Sequence, residues 1–157
     1  FSNLFSAVYY TSYILSDLIQ TVSSGNMTML SMLCGTPYFL EDDSIEDTIL
    51  FLEDIGEAPY KLDRILQQWR LSGLLSRIKG LMLGTFTDCK GDEDEADYDI
   101  GYEVLRYMEE NRKRHLPDPF VCYVPTGHGT PHQTLPLGGH VHFRYISNTI
   151  VLSPYTK

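Results

Sequence analysis

The chain has 157 residues, 43% of them hydrophobic, with 21 acidic against 12 basic side chains and a formal net charge of -9. That length supports one domain with a real core. The charge excludes nucleic-acid binding, which needs a basic surface to neutralise phosphates.

In chain order, Ile14, Leu15, Leu18, Ile19 and Val22 have helical spacing, and the turn-forming run Ser23 to Asn26 ends that element. Met27 to Leu33 reads as a short apolar helix stopped by Gly35 and Pro37. The run "TILFLED" carries a buried strand from Ile49 to Glu53, and Gly56 turns the chain. Pro59 suits the first turn of a helix over 59 to 74, with Leu62, Ile65, Leu66, Trp69 and Leu74 on its buried face. A second buried strand spans 80 to 86, and a long acidic loop follows from Asp88 to Asp99. A further helix is predicted from about 100 to 114, whose basic end, Asn111 to His115, suits the helix dipole. "PFVCYV", 119 to 124, is a third buried strand, and "HVHFRYI" with "TIVLS" forms a terminal β-hairpin turned at Ser147 and Asn148. Alternating strands and helices predict an α/β fold with a mixed sheet and packed helices.

Cys34, Cys89 and Cys122 have neither paired spacing nor an even count, so they read as thiols of a reducing, cytoplasmic compartment. No apolar run reaches the length of a membrane span, and Phe1 to Ser16 lacks the basic start of a signal peptide. The chain opens on Phe rather than Met, so it is expected to be part of a longer protein. No motif calls for a cofactor, and none is expected.

Two places carry chemistry. Glu53 and Asp54 end a buried strand, where α/β folds present reactive groups. Strand side chains alternate, so Ile49, Phe51 and Glu53 share one face and Leu50, Leu52 and Asp54 the other, and only one acid can orient a given imidazole. In "PTGHGTPHQTLPLGG", His128 stands between two glycines that permit unusual turns and leave the ring presented. It is either a catalytic histidine or a turn histidine that caps backbone groups. An acid and a histidine are two members of a triad whose nucleophile is missing: Ser23, Ser24, Thr28 and Ser31 qualify by type, but none sits in a strand-to-helix elbow. Glu57 suits a first helical turn, and Asp63 and Arg64 a surface or interdomain pairing. His132, His140 and His142 are a rival metal site, against which no further ligand follows at ligand spacing. A third reading is a binding or assembly module that keeps the fold without catalysis.

Three ordered blocks, "GNMTMLSMLCGTPY", "ILFLEDIGEAPYKLDRILQQWRLSGLLSRIKGLMLGTFTDC" and "VPTGHGTPHQTLPLG", resemble the C-terminal domain of the LD-carboxypeptidase and microcin-immunity family of serine peptidases. The likeness runs from about Gly25 to Gly139, with "SGN" where the family has "GGN". It implies a swivelling β/β/α-like domain over 25 to 157, preceded at 1 to 24 by a leading segment or interdomain connection. It implies further that Glu53 and His128 are the glutamate and histidine of a Ser-Glu-His triad whose serine lies on an N-terminal domain outside this chain. The implied activity is release of terminal D-Ala from murein tetrapeptide in peptidoglycan recycling, the alternative being a microcin-immunity type of amidase. The implied partners are the peptide substrate, the serine-bearing domain and a second copy in a homodimer, with neither nucleic acid nor membrane. This chain alone is expected to be inactive.

Overall fold

A computed structural model describes residues 3–5, 18–39, 45–90, 99–103, 120–130, 132–146 and 149–154. Its described strands are β1 (Asn3–Phe5), β2 (Leu18–Asn26), β3 (Thr48–Ile55), β4 (Gly80–Thr87), β5 (Phe120–Val121), β6 (His140–Ile146) and β7 (Thr149–Pro154). Its described helices include α1 (Met27–Met32), α2 (Pro59–Leu71) and α3 (Leu74–Arg77). The strands form one mixed sheet in the order β1-β7-β6-β2-β3-β4-β5. β2, β3, β4 and β5 pair in parallel, whereas β6 is antiparallel to β2 and to β7. The α/β class and the antiparallel pairing of the last two strands are as the sequence predicts; the hairpin turn itself lies outside the described residues.

The pleat of β3 divides the core. Leu50 and Leu52 face α2 and α3, packing with Leu62, Trp69, Leu81 and Leu83. Ile49 and Phe51 face the other way, into a cluster with Val22, Met82, Val141 and Phe143. That second cluster runs along one face of the sheet from Leu152 on β7 to Val121 on β5. Trp69, Leu50 and Leu52 are at most 1% exposed, as a core-packing strand and helix require.

Several boundaries differ from expectation. The helical spacing of Leu18, Ile19 and Val22 belongs to a strand, β2, with residues 14–17 outside the described set. Ladders with β3 on one side and β6 on the other outweigh a weak local period, and β-branched Ile19, Thr21 and Val22 suit extended backbone. Ser23 to Asn26 accordingly continue the strand rather than turn. Gly25 serves close packing there, since a Cβ at that position would lie 2.7 Å from Leu30 Cγ. The helix predicted over 59 to 74 stops at Leu71 and restarts at Leu74, broken by Gly73 at φ +81. The third strand is shorter than its apolar run: Cys122 and Val124 are buried, but Tyr123 has φ +59 and ends the regular pairing. Of the helix predicted near 100 to 114, residues 100–103 are helical and 104–114 lie outside the described residues, as do the basic cluster and most of the acidic loop.

Cys34, Cys89 and Cys122 are free thiols. Burial pushes the Cys89 thiol up and the Cys122 thiol up to about 12. Cys34, half-buried, accepts from Trp69 Nε1 at 3.2 Å. At pH 8 an alkylating reagent is expected to modify Cys34 in the native protein and to leave Cys122 intact until denaturant is added, as mass spectrometry of tryptic peptides would show. Leu52→Ala should cost about 2–5 kcal/mol in urea unfolding. Leu71→Ala, at a position 76% exposed, should stay within about 0.5 kcal/mol.

Candidate active site

The end of β3 is where the two core faces give way to polar groups. Asp54 continues the face of Leu50 and Leu52 and is 1% exposed. Its Oδ1 accepts from Asn26 Nδ2 at 2.5 Å and from Ile55 N at 2.9 Å, and its Oδ2 accepts from Thr28 N at 2.9 Å. Asn26 Oδ1 in turn accepts from Met29 N at 2.9 Å, capping α1. Asp54 thus ties the start of α1 and the end of β2 to the end of β3, and three donors occupy its carboxylate.

Glu53 continues the opposite face, that of Ile49 and Phe51. Its Oε2 lies 2.6 Å from Nδ1 of His128, 75 positions away in sequence. The Glu53 side chain is 11% exposed and the His128 side chain 51%, so the acid is sheltered and the ring reaches solvent. An ionised carboxylate can only accept, so the pair selects the Nδ1–H tautomer and leaves Nε2 with its lone pair. That is the arrangement of an oriented general base.

The segment after β5 brings His128 to this point. Val124 N donates to Leu83 O at 3.0 Å and Thr85 N to Thr126 O at 3.0 Å, so the chain runs beside β4. It then loops out and returns: Gln133 N donates to Pro125 O and Thr126 Oγ1 to Gln133 O, each at 2.7 Å. His132 Nδ1 donates to Gly127 O at 3.1 Å, inside the same loop. Gly127, at φ +122, takes a conformation that side chains other than glycine's rarely adopt, and it passes so close to the sheet that a Cβ would lie 3.1 Å from Glu53 Oε2.

The other residues singled out in the sequence are spent elsewhere. Ser31 Oγ donates to Thr28 O at 2.7 Å, and Ser23 and Ser24 lie within β2. None of Ser23, Ser24, Thr28 and Ser31 is hydrogen-bonded to His128 among the described residues. Glu57, just before α2, pairs with Lys61 in its first turn at 2.9 Å, and the Arg64 guanidinium sits 4.9 Å from the Tyr60 ring centroid. His140 and His142 alternate with buried Val141 and Phe143 and so share the outer face of β6, with His140 Nδ1 3.2 Å from Thr21 Oγ1. Among the described residues, no three potential ligands come together to hold a metal.

Comparisons with known proteins bear on the family and the fold. The profile of the LD-carboxypeptidase C-terminal domain matches residues 21–143. The murein tetrapeptide carboxypeptidase of Pseudomonas aeruginosa is 32% identical over 114 residues, covering 73% of this chain and 34% of that protein. The crystal structure of muramoyltetrapeptide carboxypeptidase from Oxalobacter formigenes superposes with a TM-score of 0.71 at 30% identity, over 99% of this chain and 51% of that one. MccF in complex with glutamyl sulfamoyl guanosine shares the fold, with a TM-score of 0.68 at 22% identity over 98% of this chain and 41% of that one. The chain belongs to the LD-carboxypeptidase family and corresponds to its C-terminal domain. It spans little more than a third of the length of the curated relatives it matches.

The two adjacent carboxylates should behave differently on mutation. Asp54→Ala strands three buried or half-buried donors and is expected to lower stability by on the order of 3 kcal/mol. Glu53→Ala frees a histidine that water already reaches and should cost markedly less. Urea midpoints of the two variants check the order, and equal losses would contradict the division of labour.

Proposed function

We propose that this chain is the C-terminal domain of a serine-type LD-carboxypeptidase that hydrolyses the L,D peptide bond releasing terminal D-Ala from murein tetrapeptide, in cytoplasmic peptidoglycan recycling. The observation that carries the proposal is the 2.6 Å bond between a sheltered Glu53 and a half-exposed His128 at the carboxyl end of parallel strands. Relatives named as murein tetrapeptide and muramoyltetrapeptide carboxypeptidases support the substrate class. Free thiols support a reducing compartment. The additional length of the relatives leaves room for a further domain, to which the proposal assigns the serine.

In this mechanism the serine hydroxyl attacks the carbonyl carbon of the L,D bond while His128 Nε2 takes its proton. Glu53 accepts the Nδ1–H and stabilises the imidazolium as it forms. The C–N bond then breaks, His128 returns the proton to the D-Ala amine, and the acyl-enzyme remains. Water, deprotonated by the same Nε2, hydrolyses that ester and restores the serine. Glu53 keeps its charge throughout.

The division of the triad between domains has a direct consequence. The chain alone should release no D-Ala from murein tetrapeptide, because His128 has no nucleophile to activate. In the full-length parent, Glu53→Ala and His128→Ala should each lower turnover by about three to four orders of magnitude, and the double variant by little more than the worse single one. Circular dichroism serves as the folding control. Full activity of the His128→Ala parent, or robust release by this chain alone, would falsify the assignment.

A further inference from the structure

β3 and β4 do not pair regularly at the site. Leu52 is opposite Leu83 and Asp54 is opposite Phe86, so Gly84 and Thr85 together face the single Glu53. This is a β-bulge, and bulges re-aim side chains beside functional sites. The bulged backbone also meets the returning chain: a Cβ on Gly84 would lie 2.4 Å from Thr126 O. Only glycine allows the approach.

The bulge delivers the Thr85 side chain to the underside of the histidine turn. Thr85 Oγ1 donates to Thr126 O at 3.2 Å, adding a second bond to the one from its own backbone N–H. The same hydroxyl sits against Gly127, where a Cβ would lie 2.7 Å away. The Thr85 methyl sits against Gly129, where a Cβ would lie 2.9 Å from Cγ2. One side chain therefore touches the residues on both sides of His128 and is bonded to the carbonyl just before them.

We propose that Thr85 is a positioning residue for the reaction: its hydroxyl seats the Gly127–His128–Gly129 turn, with the methyl packed beside it, so that the imidazole meets Glu53. The proposal rests on the reading of His128 as the general base. In this role Thr85 acts through the ring. The pair it serves joins a strand to a loop, and a ring half open to water has little other cover to keep it in place. Misplacement of a catalytic group by about 1 Å can cost on the order of 100-fold in rate.

The test separates seating from stability. Thr85→Ser keeps the hydroxyl, and Thr85→Val keeps the branched shape but places a methyl where the hydroxyl met Gly127. Nitrogen-15 NMR of the His128 imidazole in the 157-residue chain reads the tautomer directly. Wild type and Thr85→Ser are expected to show the neutral ring as the Nδ1–H form, and Thr85→Val a shift towards the mixture of a free histidine, with circular dichroism unchanged. In the full-length parent, Thr85→Val should lower kcat by about 10- to 100-fold with KM nearly constant, and Thr85→Ser should restore most of it. Should the valine variant fold poorly, Thr85→Ala removes the hydroxyl without crowding Gly127 and carries the same expectation. A folded Thr85→Val or Thr85→Ala chain with the wild-type tautomer and turnover overturns the proposal, as does a serine variant as impaired as the valine one. A tautomer shift in a parent that never cleaves the tetrapeptide would leave the seating role standing and remove the peptidase reading. An unshifted tautomer in the Thr85→Val chain, beside a parent that cleaves the tetrapeptide and loses that activity on His128→Ala, would do the reverse.

Discussion

Two acids follow one another at the end of β3, and the pleat of a strand must send them to opposite sides of the sheet. That constraint organises much of what surrounds them. On the helix side, Asp54 is saturated by Asn26, Thr28 and its own neighbour Ile55, and it holds α1 in place. On the other side, Glu53 emerges at the rim of the second core and is left with an oxygen to offer His128. Had the strand been one residue out of register, the two roles would have been exchanged between side chains of different length. The shorter acid suits bonds close to its own backbone, and the longer one suits reach across to a loop.

The loop that meets Glu53 is built for proximity more than for coverage. It is tied to itself by Gln133 and Thr126 and to β4 through Thr85, and its glycines let the backbone pass within side-chain distance of the sheet. His132 braces the Gly127 carbonyl from within the same loop. The result is a ring fixed on one edge and open on the other, as the proposed division of the triad between domains requires. A closed pocket on this face would shut out the nucleophile that the proposal requires.

The elements that could be read from the sequence were those whose signal is local. β3 and β4 are apolar runs bounded by polar residues, and α2 begins at Pro59 and buries Leu62, Ile65, Leu66 and Trp69 at helical spacing. β2 was misread because its identity lies in ladders to β3 and β6, partners distant in sequence, while Leu18, Ile19 and Val22 also fit a helical period. The contrast between Glu53 and Asp54 followed from alternation, and their pairing choice from the family likeness. Thr85 was not legible because its position depends on a register offset between two strands. The available sign was Gly84, a glycine inside an otherwise apolar strand, which marks a bulge or a close backbone approach.

The bulge also makes the site sensitive to residue count. β4 has one residue more than β3 between Leu83 and Phe86, and that surplus is what turns Thr85 towards the histidine turn. Deleting Gly84 would leave a regular ladder and an unbroken core upstream, since Leu81, Met82 and Leu83 would keep their partners. Downstream, Phe86 and Thr87 would keep Asp54 and Ile55 opposite them, but Thr85 alone would face Glu53, without the offset that aims it at the histidine turn. The residue count of β4 at this point therefore bears on the site as the identities of the acid and the histidine do. A chain could retain both and still lose the seat on which they meet.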